Sequence, residues 1–114
     1  MRREVETWSC KIGEGEASYS VVVRVGYDEL GGFEKSLDME ITSSPLGSPL
    51  PMLLAAVCRA ITTGLRAGVP IAHYMKPLRG QQFSPHGKTT DPLVPECSSL
   101  VDYLARSLDA RGIS

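Results

Sequence analysis

Polar and apolar positions alternate with a period of two along much of the first 42 residues, the signature of half-buried strands. Trp8, Cys10 and Ile12 alternate with Thr7, Ser9 and Lys11. In ASYSVVVRV, Tyr19, Val21, Val23 and Val25 share one face, and this β-branched density is the strongest strand signal in the chain. Phe33, Leu37, Met39 and Ile41 share a face with Lys35, opposite Glu34, Ser36, Asp38 and Glu40. Turns are predicted at Gly13-Glu14-Gly15-Glu16 and from Gly26 to Gly32. The pattern predicts a three-stranded antiparallel meander with one apolar face in need of a cover.

The period then changes to helical. After the loop SSPLGSPLP, Ser48-Pro49 predicts a helix start with an N-cap and a first-turn proline. Leu50, Leu53, Leu54, Val57, Ile61 and Leu65 recur at helical spacing until Gly68, a left-handed stop. Pro70 opens a short second helix, IAHYMK, which Pro77 bends or ends. A third helix starts at Ser99, with Asp102 completing a capping box, and carries a buried stripe of Leu100, Val101, Leu104 and Leu108 until Gly112. Asp102 and Arg106 form an i, i+4 pair worth only a few tenths of a kcal/mol. Between the second and third helices, Leu78 to Ser99 shows neither period. The class expected is α+β: a meander covered by about three helices, residues 1–114 forming a single domain.

Composition narrows the function. The chain has 114 residues and a net charge of −1, which argues against a dedicated DNA or RNA binder. No apolar run approaches the ~20 residues that span a bilayer. MRREVETWSC has two arginines but no apolar stretch behind them, so no secretory signal is expected. Three widely spaced cysteines, Cys10, Cys58 and Cys97, fit a reducing cytoplasm better than a disulfide framework. Neither cysteine spacing nor His73 and His86 supports a metal site, and no phosphate-loop, dinucleotide or nucleophile-elbow motif is present. Cys58 reads as core. Cys97 precedes a helix N-terminus, a setting that lowers a thiol's pKa, but no base is adjacent in sequence. The carboxylates form no recognisable acid/base pair. No enzyme and no cofactor is expected.

Binding chemistry concentrates in the long linker. Phe83 either stacks on a base, at roughly 1–3 kcal/mol per base, or anchors the loop at the core edge. Arg79, Lys88, Arg106 and Arg111 can pair with phosphates, Thr89 and Thr90 add hydroxyls, and the start of the third helix offers backbone amides to an anion. On the first helix, Arg59, Thr62, Thr63 and Arg66 recur along one face, which reads either as solvated or as a second anion site. Long irregular loops in compact domains are often functional.

Several short segments carry a family resemblance. From about Ala17 onward, Leu65-Arg66-Ala67-Gly68-Val69-Pro70, Leu78-Arg79-Gly80, Phe83-Ser84-Pro85-His86-Gly87 and Ser99-Leu100-Val101-Asp102-Tyr103-Leu104 resemble the C-terminal region of adenosylcobalamin-dependent (class II) ribonucleotide reductases. That region also occurs alone, as the TSCPD domain, in small bacterial and phage proteins. Of the motif that names the domain, Thr-Ser-Cys-Pro-Asp, only the cysteine is kept: the corresponding place reads Pro95-Glu96-Cys97-Ser98-Ser99. No reductase barrel, radical-forming cysteine or tail cysteine pair is recognisable, so the resemblance implies an accessory or binding role. The chain is also similar to phage Thoeris anti-defence sponges, small cytosolic oligomers that bind signalling nucleotides without cleaving them. That similarity implies ligand contacts at Phe83, Arg106 and Arg111, and a second, phosphate-rich ligand or interface at Arg59, Thr62 and Arg66. Two functions are thereby expected in competition. One is sequestration of cyclic oligonucleotides or cyclic ADP-ribose isomers by a homo-oligomer. The other is an accessory subunit or tail domain contacting a reductase catalytic subunit.

Overall fold

The structure, a computed structural model, describes residues 3–14, 18–28, 35–43, 49–83 and 85–113, with the side chains at positions 3, 4, 27, 28 and 35 outside that description. Strands β1 (Arg3–Ile12), β2 (Tyr19–Asp28) and β3 (Lys35–Ser43) form an antiparallel sheet in the order β1-β2-β3. β1 and β2 pair without interruption from Arg3↔Asp28 to Ile12↔Tyr19, and the β2–β3 register slips once, between Ser20 and Val21. The expected alternation holds: Cys10, Ile12, Val21, Val23, Val25, Leu37 and Met39 are buried on one face. The other face carries Arg24, paired with Asp38 at 2.8 Å and Glu40 at 3.1 Å. β1 starts earlier and β2 ends later than the pattern predicts, because cross-strand pairing outlasts the clean alternation. Most of the predicted second turn, with Phe33, lies outside the described residues.

Helix α1 (Leu50–Arg66) begins differently from the expectation. Pro49 occupies the N-cap position in helical conformation, no side chain caps the helix, and Pro51 sits in the first turn, where a missing N–H costs no helical bond. The proposed cap Ser48 lies outside the described residues. The buried stripe is also narrower than predicted: Leu54, Cys58, Ile61 and Leu65 are buried, while Met52, Leu53 and Val57 are 78%, 59% and 40% exposed. The cause is the packing partner. α1 lies along the edge strand β3, so only one narrow line of side chains meets the core. Gly68, at φ +96°, ends the helix as predicted. Gly64 leaves room for the Tyr74 side chain of α2, since a methyl group there would sit 1.6 Å from the Tyr74 hydroxyl.

Helix α2 (Ile71–Leu78) passes through Pro77 and stops two residues later, where Arg79 turns extended. A proline in the last turn removes one bond, to His73, without interrupting the rest. Helix α3 (Leu100–Ala110) is buried nearly all round, with Leu100, Val101, Tyr103, Leu104, Ala105 and Leu108 in the core.

The linker is not without structure. Gly87–Lys88 (β4) and Glu96–Cys97 (β5) pair antiparallel, and Thr89 bridges to Ile12. Gly13 N donates to Lys88 O, Thr90 N to Lys11 O, and Lys11 N to the Thr90 hydroxyl at 2.8 Å. The linker therefore adds to the edge of β1 and brings Val94 into the core. Two-residue strands are too short for periodicity to reveal, which is why the pattern reads as none. No helix among the described residues is long and apolar enough to cross a membrane.

Candidate functional site

The clearest concavity lies where the linker folds back on α3. Lys88 and Thr89 at the end of β4, Glu96 on β5, Arg79 after α2, and Arg106 and Asp109 on α3 line an open groove of about 650 Å³. Beside it lie a depression lined by His86, Glu96, Ser98, Asp102 and Arg106, and another formed by Gln82, Phe83, His86 and Ser98. Shared walls join the three: Glu96 and Arg106 belong to the first two, His86 and Ser98 to the last two. One end thus carries Phe83, and the other carries Arg79, Lys88 and Arg106 together with the carboxylates Glu96 and Asp109. Phe83 is 40% exposed, so it does not plug the core edge.

One buried carboxylate organises the walls. Asp102 is 0% exposed and accepts four contacts from three segments. Gly80 N donates to Oδ1 at 2.7 Å, Ser98 N donates to Oδ2 at 2.9 Å, and Arg106 Nε lies 2.9 Å from both oxygens. This corrects the expectation of a pair worth only a few tenths of a kcal/mol. It also corrects the capping box: Ser99 Oγ accepts from Asp102 N at 3.0 Å, but the carboxylate does not reach back to Ser99. Burial alone would raise the Asp102 pKa, yet the hydrogen bonds from Ser98 and Gly80 and the Arg106 guanidinium outweigh it, and the carboxyl lies below its ordinary 3.8. Ser98 then fixes the aromatic end, accepting from Phe83 N at 3.1 Å and donating its hydroxyl to Gln81 O at 2.7 Å.

The cations differ in what they have left to offer. Arg79 pairs with Asp109 at 3.3 Å, both well exposed. Arg106 is held to Asp102 through Nε, and its part-exposed side chain lines the groove. Among the described residues, no carboxylate lies within ion-pairing distance of Lys88, although Glu96 faces it in the hairpin register.

Not every expected site residue joins the groove. Arg111 turns inward, 3.0 Å from Asp91, 4.4 Å from the centre of the Trp8 ring, and donates to Ser107 O at 3.2 Å. Asp91 is itself buried and accepts from the Tyr103 hydroxyl at 2.7 Å and Leu93 N at 3.0 Å. Burial opposes ionisation of Asp91, but Tyr103, Leu93 and Arg111 together hold its pKa below the usual value. Thr90 clamps the linker to Lys11, and Thr89 donates to Val94 O. On α1, Arg59 and Arg66 are exposed, whereas Thr62 hydrogen-bonds the backbone of Leu37.

Cys97 is not an activated thiol. Burial, with Asp102 adding to it, pushes its pKa up to about 11, against the helix N-terminus effect expected from sequence. Cys58 is core as predicted, its pKa raised by burial to about 11. Among the described residues no three His, Cys, Asp or Glu side chains come together as metal ligands.

Sequence reasoning missed Asp91, Tyr103, Trp8 and the organising role of Asp102. A signal existed for Asp102 alone: it is the one carboxylate inside the apolar run LVDYLA, and a charge there must be paired.

Comparison with known proteins follows the same lines. The chain matches the TSCPD domain over residues 1–111. Vitamin B12-dependent ribonucleotide reductases of Streptomyces avermitilis and Streptomyces coelicolor are each 38% identical over 65 residues, 57% of this chain and 7% of theirs. The enzyme of that name from Streptantibioticus cattleyicolor is 38% identical over the same length, 11% of its own. The chain thus spans only a small part of the length of these relatives. No solved structure matches. With the match running through nearly all its residues, the chain belongs to the TSCPD domain family.

Proposed function

We propose that the protein is a non-catalytic nucleotide-binding protein of the cytoplasm that sequesters signalling nucleotides, cyclic oligonucleotides or cyclic ADP-ribose isomers, as a phage anti-defence sponge. The observation that carries this reading is the row of three neighbouring concavities, sharing walls, that leads from exposed Phe83 to Arg106, Lys88 and Arg79. A base stacks on the ring at one end, and phosphates meet guanidinium and ammonium groups at the other. Its non-catalytic character is supported by the state of the reactive groups. Asp91 and Asp102 are committed to internal hydrogen bonds, and the Cys97 thiol is held protonated. Three free cysteines fit a reducing compartment.

Under the same reading the protein is a homo-oligomer, and Arg59 and Arg66 form a second anion site completed by another subunit. The exposed Met52, Leu53 and Val57 on α1 support self-association. Isothermal titration with cyclic di- and trinucleotides and cyclic ADP-ribose isomers tests the reading: saturable binding with the nucleotide recovered intact supports it, and no heat with any of them refutes it. Light scattering tests the oligomer, with a clean monomer excluding a site between subunits.

A second reading is favoured by the family. As an accessory or tail domain of a split class II reductase, the chain would present the same apolar α1 face to a catalytic subunit. Co-purification with a reductase catalytic subunit, lost on Leu53→Asp, would select it.

A further inference from the structure

We infer that Asp102 is the positioning residue of the groove, holding the Arg106 guanidinium and the Phe83 segment at a set separation so that one ligand meets both. The inference rests on the binding reading above and adds a residue that touches no ligand. Three N–H donors converge on this carboxylate from both walls, that of Arg106 shared between its two oxygens. Gly80 N fixes the start of the Gly80–Phe83 segment, and Ser98 N fixes the strand end that receives Phe83 N. Arg106 Nε fixes the cationic wall. A guanidinium held by Nε is pre-oriented, and its remaining N–H groups form a fork matched to two phosphate oxygens. An arginine free in solvent must lose rotamer freedom to bind; here α3 and Asp102 impose that order beforehand.

Full burial argues that the carboxylate is there to organise. An ion taken out of water is costly unless every lone pair is engaged, and engagement here links three separate segments. An exposed i, i+4 pair would have left Arg106 mobile and the loop unattached.

Two measurements test this, one without ligand. In ¹⁵N-labelled wild-type protein, the Arg106 Nε–H should be protected from solvent exchange, and Asp102→Asn should abolish the protection. Exchange at the rate of a free arginine in the wild type would overturn the inference. The second is affinity for cyclic ADP-ribose in wild type, Asp102→Asn, Arg106→Ala and the double variant. Each single change should weaken binding about tenfold, as for loss of a charged hydrogen bond, and the double variant should be weaker than Arg106→Ala by less than the full Asp102→Asn loss, because only the Phe83 arm is left to lose. Losses that multiply in full would overturn the inference, since Asp102 would then not act through Arg106. If Asp102→Asn does not fold, Arg106→Lys takes its place: it keeps the charge but not the anchored fork, so full affinity overturns the inference and an alanine-like loss supports it. Should wild type bind no cyclic ADP-ribose, the binding reading fails there, while Nε–H exchange still decides whether Asp102 orients Arg106.

Discussion

The Thr62 hydroxyl accepts from Leu37 N and donates to Leu37 O, both at 3.0 Å, so one side chain of α1 satisfies both outward-facing backbone groups of an edge-strand residue. An unpaired strand edge is an invitation to aggregation, and here a helix covers it. Thr62→Val should cost about 1–3 kcal/mol in urea unfolding, because it strands two partly buried backbone groups, and should increase light scattering on storage. Thr62→Ser should keep most of the stability.

The helix phase carries a sharp contrast. Leu54 and Leu53 are neighbours in sequence, but only Leu54 faces the core. Leu54→Ala should cost about 2–5 kcal/mol, while Leu53→Ala should stay within about 0.5 kcal/mol in the isolated subunit. If Leu53→Ala instead lowers stability in a concentration-dependent way, the exposed face is an oligomer interface.

Acid should unfold the protein through two carboxylates. Asp91 and Asp102 both titrate below their ordinary 3.8 in the folded chain. Such groups contribute stability that is present above the unfolded value and is lost as pH falls through the folded value. Stability should therefore be flat from neutral pH to about 5, then fall below about 4. Asp91→Asn should be less stable at neutral pH and show a shallower acid limb. Tyr103→Phe, which removes one partner of Asp91, at 2.7 Å, should lower stability at neutral pH by about 1–2 kcal/mol and likewise make the acid limb shallower.

The thiols should be inert. With Cys58 and Cys97 pushed up to about 11 and Cys10 raised as well, mainly by burial, alkylation at pH 8 should be slow in the native protein. It should become fast in urea. Rapid native labelling of Cys97 would show that the β5–α3 junction opens.

What the sequence made legible follows from period and length. Three strands of nine or ten residues and an eleven-residue helix with a serine cap repeat their pattern long enough to be read. The α1 stripe was read too wide, since Leu53 and Val57 fit the helical period whether the helix covers a sheet face or an edge. Only the tertiary partner decides that. In the site, Arg79, Lys88 and Arg106 were legible as cations near a loop aromatic, and the structure brings them to one groove. Arg111 was not distinguishable from them, because its partners Trp8 and Asp91 come from strand β1 and from the linker, 103 and 20 positions away. Asp102 reads locally as a weak i, i+4 pair, and its place inside the apolar run LVDYLA signals only that the charge needs partners, not which ones. Its burial depends on Gly80 and Ser98, which reach it through linker geometry that two-residue strands do not announce.

The central claim is that Phe83 and Arg106 serve one nucleotide. Calorimetric titration of cyclic ADP-ribose isomers and cyclic oligonucleotides into wild type, Phe83→Ala and Arg106→Ala tests it most directly. The account predicts saturable binding by wild type, with Kd at or below the micromolar range, weakened about tenfold or more by each substitution, and the nucleotide recovered uncleaved. No heat from any of these nucleotides, or wild-type affinity retained by both variants, would contradict it.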